Sequence, residues 1–331
     1  MNRIEFPRVG YDGISRNQKK FEDIFLKGRI LGEIDQSLGD ISREPGWSVA
    51  EVECAALIRK HLPFILTTRP RGLKRIKDVI NAKYPHIFDN KKKGGFQKRV
   101  LKAFGYNTYR KIELVTLAKW LNIKSCPYCN AQYTLFIDKR INGTYPKGLA
   151  KYQFDHFFNK SDAPYLSMSL FNLIPSCASC NLSKHAVDMS VELNPYDTDI
   201  AGMFSFQAKD PVKLWQGASS VDAVQIKLVP SSRNVSSLVK ELNSSLFLDK
   251  QYGRFADVAQ EVYDKAYLYP YYSEKGNFPM LTGNNFDEKY FRQLWLGNYT
   301  EKEDIEKRPL AKFMQDLWEQ ANGVIRRYMM I

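Results

Sequence analysis

Two Cys-x-x-Cys pairs are the residues whose type and spacing most clearly indicate chemistry in this chain of 331 residues. The pairs are Cys126-Pro127-Tyr128-Cys129 and Cys177-Ala178-Ser179-Cys180. A pair of this spacing forms a tight knuckle that places two thiolates on one metal ion, and two pairs complete a tetrahedral zinc site. The sequence therefore predicts one structural Zn2+ per chain, held by Cys126, Cys129, Cys177 and Cys180.

The loop between the two pairs carries further polar residues. It is longer than in a simple zinc ribbon, and it contains Asp155-His156 and, further on, Asn172. Phosphodiester hydrolysis needs a base that deprotonates water and a cation that takes up the developing negative charge. His156 is the candidate base, and Asp155 is a carboxylate of the kind that binds Mg2+ or Mn2+.

Two asparagines complete the predicted site. Asn172 carries no charge, which suits hydrogen bonds to the backbone across a hairpin that hold the loop in place. Asn181 directly follows the last cysteine, and its amide oxygen is the expected second ligand of the catalytic ion. Neighbouring residues of a strand point to opposite faces. We therefore expect the strand to end or bulge at His156, so that Asp155 can act with it.

The complete pattern resembles the HNH endonuclease superfamily, which has a ββα-metal active site. The matching residues are Asp155-His156, Asn172-Leu173 and Cys177-x-x-Cys180-Asn181-x-x-Lys184, and Cys126-x-x-Cys129 is similar to the zinc-stabilised branch of that superfamily. The resemblance spans about 60 of the 331 residues. It implies that His156 is the general base, that Asp155 and Asn181 bind the catalytic ion, and that Asn172 is the middle asparagine.

The third motif position departs from the family pattern, because it is Asn181 here rather than a histidine. His185 follows four residues later, and on a helix positions 181 and 185 share a face. In an alternative version of the site, His185 therefore assists or replaces Asn181 as a ligand. Asn181 is the preferred ligand, and the choice between the two stays open at this point.

The fold class predicted from the surrounding elements is α+β and mostly α-helical, with a central ββα-metal (HNH) module, a four-cysteine zinc site and helical flanks. Strands are expected over 131–137, 151–157 and 170–174, with a turn at Asn142-Gly143 and a helix from about Cys180. Two short strands are expected over 204–206 and 225–229. Helices are expected over 48–61, 71–82, 96–104, 110–121, 238–247, 254–269, 286–296 and 309–321.

Local signals place several of these boundaries. Ser48 and Glu51 form a capping-box pattern at the start of the first helix. Gly105 is expected to end the helix over 96–104. We predict three segments: a basic helical region over 1–125 that contacts nucleic acid or a partner, the HNH module with its zinc over 126–200, and a mainly helical region over 201–331.

Positive charge is concentrated in one stretch next to the cysteines. Residues 59–125 contain 18 Lys and Arg but three acidic residues, whereas residues 126–331 contain equal numbers of both kinds. Such an excess, interleaved with aromatic residues, is typical of a groove that neutralises phosphates. A solvated helical surface is the alternative for the short lysine run over 91–93. The candidate nucleic-acid contacts are Lys92, Lys98, Arg99, Lys102 and Lys184.

Neither a cleavable signal nor a run of about 18 apolar residues that would cross a membrane is found in the sequence. We therefore expect a cytoplasmic protein with no membrane partner, in which cysteine thiols stay reduced and serve metal chemistry. Cys54 stands alone in an apolar helix and is expected to be a core residue.

These observations predict a metal-dependent endonuclease that hydrolyses phosphodiester bonds, with double-stranded DNA as the expected substrate. The main alternative is a zinc-containing module that binds nucleic acid or a partner without catalysis. A redox function is a second alternative, because Cys126-Pro127-Tyr128-Cys129 also looks like a glutaredoxin active-site motif. That fold needs a βαβ context, whereas a helix is expected before Cys126.

The flanking regions add an implication at the level of families. Stand-alone HNH proteins with large helical flanks look similar to effector nucleases of bacterial anti-phage systems, such as the Septu and retron-linked systems. Those nucleases often work with a partner ATPase of the SMC-like class. The resemblance therefore implies antiviral defence and a partner ATPase, and it does so by analogy alone.

Overall fold

The structure is a computed structural model that describes residues 1–4, 14–92, 94–110, 113–141, 144–185, 187–215, 224–273 and 287–329. Within these ranges the chain is mostly α-helical, and its strands form three two-stranded antiparallel sheets. The predicted class, α+β with a large helical majority, is confirmed. No helix in these ranges is both long enough and apolar enough to cross a membrane.

The chain divides into two compact units. The N-terminal unit comprises Arg3–Ile123 and Thr134–Thr198, and the C-terminal unit comprises Met1–Asn2, Lys124–Tyr133 and Asp199–Ile331. These units do not follow the three predicted segments over 1–125, 126–200 and 201–331, because residues 124–133 group with residues 199–331. As a division by function, the three segments stay a prediction.

The N-terminal unit begins with helices, and a capping box starts one of them as predicted. The helices are α1 (Ile14–Leu26), α2 (Arg29–Ile41), α3 (Val49–Lys60), α4 (Leu62–Thr67), α5 (Pro70–Lys83), α6 (Phe96–Phe104), α7 (Tyr106–Tyr109) and α8 (Glu113–Leu121). At the start of α3, the Glu51 N–H donates to the Ser48 hydroxyl, and the Ser48 N–H donates to the Glu51 carboxylate. Helix α6 has its predicted bounds, and α3 and α5 differ from theirs by one residue at each end.

Gly105 ends α6, as the sequence predicts. Its φ of +60° lies in the left-handed region that favours glycine. The chain then enters the short helix α7, so the single helix predicted over 110–121 is wrong at its start. Helix α7 ends at Tyr109, and α8 begins at Glu113.

Two hairpins and a helix complete the N-terminal unit. Strand β1 (Phe136–Ile141) pairs with β2 (Thr144–Ala150), β3 (Gln153–His156) pairs with β4 (Leu173–Ser176), and α9 (Ala178–Lys184) follows. The strand predicted over 131–137 begins later, at Phe136. The reason is that the chain turns directly after the first cysteine pair, at Asn130, whose φ is +54°. The strand predicted over 170–174 also forms later, since residues 170–172 form a 3-10 turn. The turn predicted at Asn142-Gly143 lies outside the described residues.

An aromatic cluster attaches the β3–β4 loop to the basic helices. Phe96 of α6 is fully buried, stacks on Phe88 with ring centroids 5.5 Å apart, and meets the ring of Trp47 edge-on at 5.8 Å. Phe88 also contacts Tyr165, which lies in the loop between β3 and β4. The loop is therefore anchored by aromatic packing as well as by its two strands.

The C-terminal unit combines one hairpin with several helices. Its elements are β5 (Phe204–Ala208), α10 (Pro211–Trp215), β6 (Ile226–Pro230), α11 (Ser236–Leu246), α12 (Leu248–Tyr252), α13 (Ala256–Ser273), α14 (Glu288–Leu296) and α15 (Ala311–Met329). The two short strands and the four helices predicted for this region are present. Helix α15 runs to Met329, well beyond its predicted end at 321.

Side chains of α15 bind the edge of β5 that faces away from β6. The Phe206 N–H donates to the Asp316 carboxylate at 2.8 Å, and the Ala208 N–H donates to the Gln320 side-chain oxygen at 2.9 Å. The Gln320 amide donates in return to the Ala208 carbonyl at 3.0 Å. Phe313 of the same helix packs against the aromatic core formed by Phe206 and its neighbours.

Gly105→Ala is expected to lower the free energy of unfolding by about 1–2 kcal/mol, because an L-residue resists the left-handed conformation. The new Cβ would also lie 2.9 Å from Cε2 of Tyr109. The matched control is Gly32→Ala in α2, where nothing lies within 4 Å of the added Cβ. That change is expected to stabilise the chain by roughly 0.5–1 kcal/mol. Denaturant unfolding measures both, and equal effects would contradict the assignment of Gly105.

Candidate metal centre and active-site cleft

The four cysteines of the two Cys-x-x-Cys pairs form a buried cluster. Each offers its Sγ atom, and these atoms all lie within 4.8 Å of one another. Four Zn–S bonds of about 2.3 Å in a tetrahedron place the sulfurs roughly 3.8 Å apart, so this donor set fits one Zn2+. In the part of the chain that the structure describes, no other group of three or more His, Cys, Asp or Glu is placed to share an ion. The predicted cluster is confirmed, and a metal such as zinc can bind it.

In each knuckle a backbone N–H donates to one of the sulfurs. The Ala131 N–H donates to Sγ of Cys129 at 3.3 Å, and the Cys180 N–H donates to Sγ of Cys177 at 3.4 Å. Cys177 is also the N-cap residue of α9. Both features favour the thiolate form that a metal ion requires. The fifth cysteine, Cys54, lies alone in α3 and is fully buried as predicted, and burial raises the pKa of its thiol to about 12.

Asp155 and His156 lie together where β3 ends. Asp155 is opposite Ile174 of β4, His156 is opposite Leu173, and the strand stops at His156, as predicted. The exposed fractions of the two residues are 2% and 8%. Both nevertheless line a single cleft of about 980 Å3. Both residues therefore border the same cleft at the point where the strand ends.

The hydrogen bond of His156 determines which ring nitrogen can act as a base. Nε2 lies 3.0 Å from the carbonyl oxygen of Ser167, and a carbonyl only accepts. In the neutral ring Nε2 therefore carries the proton and Nδ1 is the acceptor. Burial, with Lys160 nearby, lowers the pKa of His156 to about 3, so the ring is neutral at pH 7. Tyr106 of α7 packs edge-on against the imidazole, with ring centroids 4.6 Å apart.

Asn172 holds the β3–β4 loop through three hydrogen bonds. Its Oδ1 accepts from the Phe158 N–H at 2.7 Å, and its Nδ2 donates to the carbonyls of Phe158 at 3.1 Å and Leu166 at 2.9 Å. The side chain is fully buried and does not line the cleft. The loop-holding geometry predicted for Asn172 is confirmed. Because Leu166 precedes Ser167, these bonds also support the carbonyl that orients His156.

Lys184 has a role that the sequence did not indicate. Its side chain is fully buried, with Nζ 3.3 Å from Oδ2 of Asp155, and it donates to the His156 carbonyl at 2.9 Å. The prediction that Lys184 contacts nucleic acid is wrong, because its ammonium group lies inside the protein and neutralises Asp155. This side chain instead connects the end of α9 to the end of β3.

Asn181 and His185 both line the cleft, but they do not share a helical face. Asn181 lies in α9 and donates to the side-chain oxygen of Gln153. The helix ends at Lys184, and His185 departs from it with φ +45° and ψ −122°. The argument from a shared helical face therefore does not apply to His185, but His185 lines the same cleft as Asn181, and the choice between the two ligands stays a prediction. The catalytic divalent ion at Asp155 and Asn181 stays a prediction.

The predicted contacts in the basic stretch differ in how accessible they are. Lys92, Lys98 and Lys102 are exposed. Arg99 is not available, because its guanidinium bonds the Glu44 carboxylate at 2.6 Å and the Ser37 carbonyl at 3.0 Å. These contacts hold α6 against α2 and lower the pKa of Glu44. The prediction for Arg99 is therefore wrong, because a residue of the basic stretch serves here as a structural ion-pair partner.

Arg110 and Lys160 line the cleft, and sequence analysis missed both. The available signals were weak: Arg110 belongs to the basic stretch, and Lys160 follows His156 by four residues.

Comparison of the chain with protein-family models, curated proteins and solved structures finds no match.

Cys177→Ser is expected to abolish high-affinity zinc binding, because binding energy of about 10–16 kcal/mol at such sites depends on all of the ligands. Elemental analysis of the native protein should give one zinc per chain. Cys54→Ala is the control and should leave the zinc content unchanged. A native protein without zinc, or a zinc-replete Cys177→Ser variant, would contradict the assignment.

Lys184→Met is expected to lower the free energy of unfolding by about 3–5 kcal/mol, because it leaves a buried carboxylate without its cation. Lys74→Met is the control: its ion pair with Asp78 is exposed, and the loss should not exceed about 1 kcal/mol. The double variant Asp155→Asn/Lys184→Met should recover part of the stability, since no unpaired charge remains. Denaturant unfolding measures these changes. If Lys184→Met and Lys74→Met lower the free energy of unfolding equally, the role assigned to Lys184 is refuted.

Proposed function

We propose that this chain is a metal-dependent endonuclease of the HNH type, which hydrolyses phosphodiester bonds of nucleic acid, with DNA as the expected substrate. The observation that carries the proposal is the end of β3. There Asp155 and His156 reach one cleft, and the Ser167 carbonyl leaves Nδ1 of His156 as the proton acceptor. A base and a carboxylate side by side are the minimum that this reaction requires.

In the proposed reaction, Nδ1 of His156 takes a proton from a water molecule in the cleft. The water oxygen forms a bond to phosphorus while the bond from phosphorus to the leaving oxygen breaks, and the leaving oxygen is protonated from solvent. Asp155 and Asn181 would hold Mg2+ or Mn2+, which supplies positive charge to the phosphoryl oxygens. Tyr106 keeps the imidazole in position by packing against it.

Two further residues, Asn172 and Ser167, contribute by holding His156 in position. Asn172 holds the loop that contains Ser167, and Ser167 orients His156. A base that is fixed in one orientation before the substrate arrives loses no rotational freedom during the reaction. The cysteine cluster has a structural role in this proposal, because Cys177 and Cys180 fix the first turn of α9, which bears Asn181.

A second candidate function is a zinc-containing module that binds nucleic acid without cleaving it. One observation favours it: Lys184 already neutralises Asp155, which reduces the negative charge available to a divalent ion. By resemblance, we also propose antiviral defence and a partner ATPase as the biological setting. This extension depends on the nuclease proposal and on family analogy.

His156→Ala is expected to reduce cleavage of plasmid DNA in the presence of Mg2+ or Mn2+ by at least about 100-fold, since general-base catalysis contributes roughly 10²–10⁴-fold. Zinc content should stay that of the native chain. The unfolding midpoint is expected to fall, because a buried and hydrogen-bonded ring is removed, so cleavage is measured well below the midpoint of the variant. His61→Ala is the matched control, because His61 is exposed at the junction of α3 and α4 and should retain full activity. A His156→Ala protein that cleaves at the native rate would refute the assignment.

The same assay separates the two candidate functions. If the native chain binds nucleic acid but cleaves neither DNA nor RNA with any divalent ion, the non-catalytic module is the better description. If it cleaves, Asn181→Ala should require more Mn2+ for half-maximal activity, whereas His185→Ala should not. The reverse result would make His185 the ligand.

A further inference from the structure

Two cations face the cleft beside His156 without an acidic partner. Lys160 is half-buried, and its Nζ lies 5.0 Å from the centroid of the Tyr106 ring. Arg110 follows α7, is exposed, and lines the same cleft. Among the described residues, neither of them forms an ion pair with a carboxylate. Burial, Arg110 and Lys98 all act to lower the pKa of Lys160, so the nearby charges repel it.

Three other cations close to this part of the N-terminal unit do have acidic partners. Lys184 pairs with Asp155, Arg99 with Glu44, and Lys91 with Asp162 at 2.7 Å. The last of these is informative, because Asp162 lies two residues from Lys160 but bonds a different lysine. A half-buried ammonium beside a guanidinium costs free energy unless an anion is present. The arrangement is therefore suited to an anion that enters the cleft.

The loop that carries Lys160 is held on both sides. The Asn159 N–H donates to Asp188 at 2.9 Å, and the Ser161 N–H donates to Oδ1 of Asn159 at 2.9 Å. The Lys160 carbonyl accepts from Gln97 of α6 at 3.4 Å. The backbone of this loop is therefore fixed before a ligand binds, which reduces the entropy that the loop loses on binding.

Tyr106 relates these cations to the base. Its ring contacts the His156 imidazole and also lies below the Lys160 ammonium. An anion between Lys160 and Arg110 therefore lies next to the base but does not occupy its place. A guanidinium can bind two phosphate oxygens at once, and an ammonium adds a compact charge.

We propose that Arg110 and Lys160 form a phosphate-binding subsite for a backbone phosphate of the nucleic acid, adjacent to the phosphate that is cleaved. The assignment rests on the proposed function for its choice of ligand. It places the main substrate contact of the basic stretch inside the cleft, at Arg110. The exposed lysines of α6 would then contribute a weaker and less specific attraction.

The test measures binding without cleavage, using the full chain with no added divalent ion. The probe is a fluorescent single strand of four nucleotides, which is short enough to report on the cleft rather than on the surrounding helices. Arg110→Gln and Lys160→Gln are each expected to weaken binding by roughly tenfold to a hundredfold, the range for a hydrogen bond to a charged group. The matched control is Lys60→Gln/Arg71→Gln, which removes one exposed lysine and one exposed arginine outside the cleft. The control should bind the probe as the native chain does.

Further measurements distinguish an effect of lost charge from an effect of lost folding, and they identify the ligand. Lys160→Arg keeps the charge and should retain most of the affinity. The unfolding midpoint of Lys160→Gln should not fall below that of the native chain, because the substitution removes an unfavourable half-buried charge. Inorganic phosphate should compete with the probe, but more weakly than a nucleoside 5′-monophosphate. If inorganic phosphate binds as tightly as the probe, the site takes free phosphate and the nucleic-acid assignment is overturned. If Arg110→Gln/Lys160→Gln binds the probe like the native chain, the subsite itself is overturned.

The outcome is independent of the nuclease assay. A chain that cleaves nothing but loses probe binding in the double variant would retain the subsite and lose the proposed function. A chain that cleaves DNA equally well with and without the two cations would retain the function and lose the subsite.

Discussion

The buried ammonium group of Lys184 is the constraint on which the arrangement of the cleft depends. A charge in the protein interior must have its partners close by, because the free energy of removing it from water is several kcal/mol. Lys184 meets this requirement with the carboxylate of Asp155 and the carbonyl of His156. Both acceptors lie at the last two positions of β3, so the end of α9 is held at the end of that strand. Residues far apart in sequence are thereby placed in one cleft.

Hydrogen bonds within the β3–β4 loop also fix the geometry of the cleft. Its polar backbone would be costly to bury without partners. Asn172 supplies three hydrogen bonds to that backbone, and the Ser167 carbonyl is in turn bonded by His156. The orientation of the imidazole is therefore a product of loop packing. A substitution in the loop can alter the base without touching it.

Local sequence signals predicted a good part of this structure. The capping box at Ser48, the end of α6 at Gly105 and the end of β3 at His156 each depend on a few neighbouring residues, and each is found as expected. The cysteine cluster was also predictable, since spacing alone indicates a shared ion. The strand expected over 131–137 failed because the turn at Asn130 delays it.

The residues that sequence analysis misjudged are cations whose partners are distant. Lys184 forms an ion pair with Asp155, 29 positions earlier in the sequence, and Arg99 forms one with Glu44, 55 positions earlier. A count of basic residues cannot separate such side chains from those that face a ligand, because pairing is decided by tertiary structure. Arg110 became a candidate only when the fold placed it in one cleft with Asp155 and His156.

The helix α15 has a consequence for how the C-terminal unit meets other molecules. Strand β5 belongs to a sheet of two strands, and the backbone at the edge of such a sheet is a template onto which a further strand can add. Asp316 and Gln320 bond that backbone at Phe206 and Ala208. At these two residues the sheet is closed to strand addition, which protects the folded chain against edge-to-edge aggregation there.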